Sequence, residues 1–170
     1  MSHHLVEARC LSHVYEDGTV ALQDVSFRIT HGESVAIIGA NGAGKSTLLM
    51  HLNGHLSPTS GEVRIGETPL TKETLPAIRR TVGLVFQDPD DQLFMPTVYD
   101  DVAFGPRNQG LPEADVDRRV REALERVGIW HVRAKPPYRL SGGEKKGAAI
   151  AGVRALEPDV LVMAEPTSGL

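Results

Sequence analysis

Residues 39–47 read GANGAGKST, with an apolar run over residues 34–38 leading in and a helical pattern over residues 46–53 leading out. A strand, a loop and a helix are expected there in that order. The spacing G-x-x-x-x-G-K-S lets a loop of backbone N–H groups wrap a phosphate, with glycines where a side chain would collide with it. A helix opening at Lys45 turns its N-terminal amides and the positive end of its dipole to the same place. A di- or triphosphate suits such a cradle, with Lys45 bridging the β and γ phosphates and Ser46 offering its hydroxyl to Mg²⁺.

The chain has 170 residues and a formal charge of −4, the size of one compact domain. So mild a charge holds neither a nucleic-acid footprint nor a polybasic membrane patch. Cys10 is the one cysteine, which excludes an internal disulfide, suits a reducing cytoplasm and reads as a small buried hydrophobe on a strand. The start lacks a leader-like apolar core, and no apolar run approaches the roughly 18 residues that span a bilayer. A protein of this kind serves a membrane only from outside the lipid.

Residues 5–15 and 20–29 alternate apolar and polar around Asp17-Gly18, predicting an antiparallel hairpin ahead of the phosphate loop. Residues 58–61 (PTSG) break the helix, residues 62–65 read as a short strand and residues 80–86 as a buried one, with Gln87 just past it. Residues 88–110 form an irregular insert with Phe94, Tyr99 and Phe104 and a short helix over 98–104. A firmer helix over 112–127 repeats Val116, Val120, Leu124 and Val127 on one face and ends at Gly128. Its other face (Arg118, Arg119, Arg121, Glu122, Glu125, Arg126) reads as solvated, with ion pairs at helical spacing. A last helix starts at Ser141, and a final strand over 159–163 rises toward Glu165.

Residues 140–146 read LSGGEKK. Ser141 is a good N-cap, and Gly142 and Gly143 leave the first amides uncovered, a second anion-grade helix end. GANGAGKST, Gln87 after a strand, LSGGE and VLVMAEPTSGL, in that order and spacing, resemble the nucleotide-binding domain of ABC transporters over nearly the whole chain. Residues 87–111, QDPDDQLFMPTVYDDVAFGPRNQGL, are similar to the ATP-binding subunit of the cobalt/nickel branch of the energy-coupling factor importers.

The resemblance implies an α/β P-loop NTPase: a RecA-like parallel core, an N-terminal antiparallel sheet and a helical subdomain over roughly 90–140. It implies ATP and Mg²⁺ as cofactors. Tyr15 matches the aromatic that stacks on adenine, and Asn41, Gly42, Ala43, Gly44, Lys45, Ser46 and Thr47 form the phosphate cradle. Ser46 and Gln87 match the Mg²⁺ contacts, and Gln87 also senses the membrane partner. Ser141, Gly142, Gly143 and Glu144 match the signature that binds the γ-phosphate held by the other protomer. Glu165 matches the general base that orients the attacking water. The implied partners are integral membrane transport subunits, docked on residues 88–110, and a like or unlike ATP-binding chain in a head-to-tail dimer, at the cytoplasmic face of the membrane. No nucleic acid is implied.

Several positions depart from the family. Ala164 stands where an Asp that helps hold Mg²⁺ is usual, Glu144 stands in place of Gln, and Gly147 falls inside the signature helix. The sequence stops at Leu170, ahead of the strand bearing the family's switch histidine, and all seven histidines precede Glu165. That strand usually lies between the phosphate-loop strand and the Glu165 strand, so residues 34–39 and 159–164 are expected not to pair directly, whether the chain is a fragment or a degenerate copy. Alternative functions are a nucleotide-binding regulatory subunit that does not hydrolyse and, further off, a soluble ABC ATPase acting on nucleic acid. His3 and His4 are read as a solvated tail rather than cargo ligands.

Overall fold

The computed structural model describes residues 4–165, the side chain of His4 excepted. His3, the His4 side chain and the PTSGL stretch of residues 166–170 lie outside the described residues. The chain divides into two compact units, one ending at Val82 and the other beginning at Gly83.

In the first unit, strands β1 (His4–Val14) and β2 (Val20–Thr30) form the expected hairpin. It is closed by the Gly18 N–H donating to the Tyr15 carbonyl and the Tyr15 N–H donating to the Thr19 carbonyl, both at 2.9 Å. β3 (Ser60–Ile65) pairs antiparallel with β1, and the two-residue β4 (Thr68–Pro69) pairs with β3, giving the order β2-β1-β3-β4. Period-two alternation puts Val6, Ala8, Val63 and Ile65 on the buried face. Glu7 stands directly opposite Arg28 and is also salt-bridged to Arg9, at 2.8 Å.

Cys10 is exposed, not buried as expected. The register of β1 slips against both neighbours around it, and its backbone is left-handed at φ +47. The bulge turns this one residue outward, and its N–H donates to Ser26 Oγ at 2.8 Å.

Helix α1 (Lys45–Leu52) follows the phosphate loop, as the sequence predicts. The strand expected ahead of that loop is absent: residues 34–38 belong to no strand, with Val35 60% and Ile38 92% exposed. A strand exists only as part of a ladder, and this apolar run has no ladder partner among the described residues. A helix the sequence reading missed, α2 (Leu75–Thr81), carries Pro76 in its first turn and buries Ile78.

The second unit holds a two-stranded parallel sheet of β5 (Val82–Val85) and β6 (Val160–Met163), with the Ala164 N–H donating to the Val85 carbonyl at 3.1 Å. β6 pairs with β5 and residues 34–39 lie in neither sheet. The direct pairing that the sequence argued against is therefore not formed.

Between these strands come α3 (Val98–Asn108), α4 (Glu113–Arg126) and α5 (Gly142–Arg154). Val98 and Val102 of α3, Val116, Val120 and Leu124 of α4, and Ala148 and Ala151 of α5 close one core. Thr97 caps α3, which runs one turn past the expected end by burying Pro106 on the core side. Gly128, at φ +76, ends α4 in the left-handed conformation that favours glycine.

The charged face of α4 is solvated in part, with Arg118 reaching both Asp115 and Glu122 at 3.5 Å. Arg119 departs from that expectation: it is largely covered, bonding the Ala155 carbonyl at 3.3 Å and Glu157 at 2.7 Å. The guanidinium groups of Arg121 and Arg133 both lie over the Trp130 ring, 4.7 and 4.4 Å from its centroid.

Candidate functional site

In the first unit the loop over residues 39–44 turns through left-handed backbone at Gly42 and Gly44, φ +81 and +88, and enters α1 with the Leu48 N–H donating to the Gly44 carbonyl at 2.9 Å. A Cβ on Gly44 would lie 2.3 Å from the Ala21 carbonyl oxygen, so this glycine is demanded by the chain's own packing as well as by any ligand. Lys45 folds its ammonium over the loop and donates to the Gly39 and Ala40 carbonyls, each at 2.8 Å. Asn41, Gly42 and Ala43 are exposed at the tip, and Ser46 is half-buried.

Tyr15, 39% exposed, is brought against the same helix. Its hydroxyl shares a hydrogen bond with Thr47 Oγ1 at 2.9 Å. Behind it lie two histidines to which the sequence reading gave no role. His13 and Tyr15 are two residues apart on an extended chain and share a face, while Thr47 and His51 are four apart on a helix and share another. That pair of spacings was the available signal. His51 is 1% and His13 8% exposed. The His51 Nε2 to His13 Nδ1 distance is 3.2 Å, His51 Nδ1 is 2.7 Å from the Thr47 carbonyl, and His13 Nδ1 is 3.1 Å from the Ser57 carbonyl. Burial pushes the His51 imidazole below its ordinary value, and neighbouring His13 adds to this, while the Thr47 carbonyl opposes it.

In the second unit Gln87 and Glu165, distant in sequence, meet: Gln87 Nε2 donates to Glu165 Oε2 at 3.0 Å. Glu165 is exposed, just past β6, with left-handed backbone at φ +47. Lys146, buried in α5 and also unforeseen, donates from Nζ to the carbonyls of Gln87 at 3.0 Å, Phe86 at 3.3 Å and Ala164 at 3.5 Å. One ammonium thus ties the ends of both strands that carry the candidate catalytic residues.

Ser141 caps α5 in a full capping box: its Oγ accepts from the Glu144 N–H at 3.3 Å, and its own N–H donates to Glu144 Oε2 at 2.8 Å. The sequence reading left these first amides uncovered. The box takes the amides of Ser141 and Glu144 rather than those of Gly142 and Gly143, and the bond from the Ser141 backbone holds the Glu144 carboxyl below the usual range, so a negative charge sits at this helix end. Gly143 is open, with nothing within 4 Å of where a Cβ would be.

The aromatics of residues 88–110 divide by role. Tyr99 packs on the helical core and donates its hydroxyl to Asp117 at 3.0 Å, whereas Phe94 and Phe104 meet edge to face at 5.0 Å on the surface.

No group of three or more His, Cys, Asp or Glu among the described residues could hold a metal ion. Ser46 offers a hydroxyl, Gln87 an amide oxygen, and Ala164 a buried methyl where a carboxylate would add charge. Each unit thus offers by itself a hard, neutral oxygen of the kind that suits Mg²⁺ delivered on a phosphate chain, since that ion commonly keeps its waters and takes only one or two protein ligands.

The family model described as ABC transporter matches residues 22–168. The chain is 69% identical over its whole length to a putative ABC transporter ATP-binding protein of Geobacter sulfurreducens, covering 68% of that protein. It is 53% identical, over 98% of its length, to the energy-coupling factor transporter ATP-binding protein EcfA of Methanocaldococcus jannaschii, covering 61% of it. Among solved structures, cbiO1 of Clostridium perfringens, part of the ABC transporter complex cbiONQ, superposes with a TM-score of 0.88 at 45% identity, over 99% of this chain and 68% of that one. The chain therefore spans about two thirds or less of these relatives. No helix among the described residues is long and apolar enough to cross a membrane.

Proposed function

We propose that this chain, which belongs to the ABC transporter family, is the ATP-binding subunit of a membrane importer and that its cargo is a transition-metal ion, Co²⁺ or Ni²⁺. Residues 1–170 act as one ATP-binding domain, peripheral to the membrane on its cytoplasmic side, beside integral membrane subunits and a second ATP-binding chain. The observation that carries this reading is the phosphate loop itself, with its two left-handed glycines, Lys45 at its mouth and Tyr15 bonded to Thr47.

Asn41 to Thr47 hold the phosphates and Tyr15 receives the adenine. Ser46 and Gln87 hold Mg²⁺, which when bound neutralises charge on the phosphates. Glu165, kept in place by the amide of Gln87, takes a proton from water, so hydrolysis resets the subunit. The turn at Ser141 to Glu144 faces the nucleotide of the second chain, and Phe94 with Phe104 anchors the membrane partner. The likeness of residues 87–111 to the cobalt/nickel branch favours the metal cargo, and the similarity to cbiO1, part of an ABC transporter complex, favours the membrane partners.

The test is retention of labelled ATP by the full-length chain. Lys45→Ala removes one or two charge-assisted bonds to phosphate and should weaken binding roughly 10- to 100-fold; unchanged retention sinks the reading. Ala164 favours a second one, a nucleotide-binding regulatory subunit without turnover. Mg²⁺-dependent phosphate release abolished by Glu165→Gln supports the enzyme, and tight ATP binding without release supports the regulator.

A further inference from the structure

His13, His51, Thr47 and Tyr15 close a ring of contacts within the first unit. His13 meets His51 nitrogen to nitrogen and edge to face, with ring centroids 4.7 Å apart; His51 bonds the Thr47 carbonyl. Thr47 bonds the Tyr15 hydroxyl, and the Tyr15 ring stands at 86° to that of His13, 4.8 Å away. Elementary proton counting narrows where the hydrogens lie. The Thr47 and Ser57 carbonyls can only accept, so His51 Nδ1 and His13 Nδ1 both carry N–H. One proton fits between the rings; in the assignment that places it on His13, that N–H is shared between the Ser57 carbonyl and His51 Nε2. His51 is then neutral, which agrees with the downward push that burial gives it.

We propose that His13 and His51 are positioning residues that set the nucleobase platform of the ATP site, locking Tyr15 to the phosphate-binding helix and so favouring ATP over a bare polyphosphate chain. Neither histidine offers an exposed surface to a ligand; they act on Tyr15, the group that would meet the base, with Thr47 as the anchor that joins it to the helix. The ring joins two elements, the end of β1 and the first turns of α1, that sequence-local bonds do not fix to each other. Without the two histidines the Tyr15 side chain keeps its hydroxyl bond to Thr47 but loses the imidazole edge that packs against its ring. The inference rests on the proposed ATP site and deepens it.

The experiment measures binding of ATP and of inorganic tripolyphosphate by the full-length chain, as wild type and as Tyr15→Ala, His51→Leu and His51→Asn. His51→Leu leaves no orphaned buried donor, because His13 keeps the Ser57 carbonyl. It should weaken ATP about five- to tenfold, less than Tyr15→Ala, because stacking of a base on an aromatic spans roughly 5- to 150-fold. Tripolyphosphate should stay within about twofold, because the loop and Lys45 are untouched. His51→Asn restores an amide N–H beside the Thr47 carbonyl and should bring ATP back to within about threefold of wild type.

Equal loss of both ligands, or unchanged ATP binding by His51→Leu, overturns the positioning role. Should His51→Leu melt below the assay temperature, His13→Phe carries the same test, since it keeps a ring edge on Tyr15 and severs the nitrogen–nitrogen bond. A wild type that binds tripolyphosphate but not ATP, or a Tyr15→Ala that loses nothing, instead brings down the ATP reading itself.

Discussion

Gly42 and Gly44 share left-handed backbone, yet they differ in what surrounds them. A Cβ on Gly44 meets the Ala21 carbonyl oxygen at 2.3 Å and Leu22 Cδ2 at 3.2 Å, whereas nothing stands within 4 Å of one on Gly42. Alanine at either position carries the left-handed penalty of about 1–2 kcal/mol. At Gly44 alone it also collides with a backbone atom, which cannot swing aside as a side-chain tip does. Displacing β2 or the loop to relieve such an overlap costs about 1–3 kcal/mol more. With a urea slope near 2 kcal/mol per molar, Gly44→Ala should unfold roughly 0.5–1.5 M earlier than Gly42→Ala without nucleotide. Denaturation followed by far-UV circular dichroism reads the difference. Equal midpoints for the two variants would refute the claim that Gly44 is required by packing, and leave both glycines as ligand positions only.

Three further outcomes are expected. Glu7 is held below the usual carboxylate range first by Arg9 and then by Arg28, so the unfolded chain binds its proton more readily. Its contribution is complete above the ordinary carboxylate pKa and is lost as pH falls through the lowered one; Glu7→Gln should flatten this acid limb of an unfolding-midpoint titration, and an unchanged limb counts against it. His51, also lowered, stabilises the neutral form: stability is full above its ordinary 6.5 and declines as pH drops below. His51→Leu should erase that decline while leaving the Glu7 limb, as the same titration would reveal. Ala164→Asp should raise Mg²⁺-dependent phosphate release about 10- to 100-fold if the missing carboxylate limits turnover, and no rise assigns the limit elsewhere.

What could be read from residues alone was what residues decide locally. Gly44-Lys45-Ser46 opens a helix, Ser141 with Glu144 caps one, and Gly128 closes one, each through chemistry within four positions. The run at 34–38 failed because a strand is a property of its neighbours: Ile38 is as apolar as any core residue and still stands 92% exposed. Cys10 failed for the opposite reason, since a bulge hidden in a well-alternating strand reversed its face. Pro76 did announce α2, but an isolated proline in a polar stretch reads equally as a turn. Gln87 and Glu165 could each be singled out by motif, whereas their hydrogen bond, and the ammonium of Lys146 beneath them, depend on the crossover connection that brings two strand ends together. The His13–His51 pair needed a strand period and a helix period to be superposed, which no single window supplies.

The indole under the guanidinium groups of Arg121 and Arg133 is the chain's one tryptophan. Its fluorescence is therefore a private signal of the helical unit, and drawing either guanidinium away from the ring will change its emission while the phosphate loop stays spectroscopically silent. Paired with far-UV circular dichroism of the whole chain, it can show whether heat or urea dismantles the two units together or one before the other.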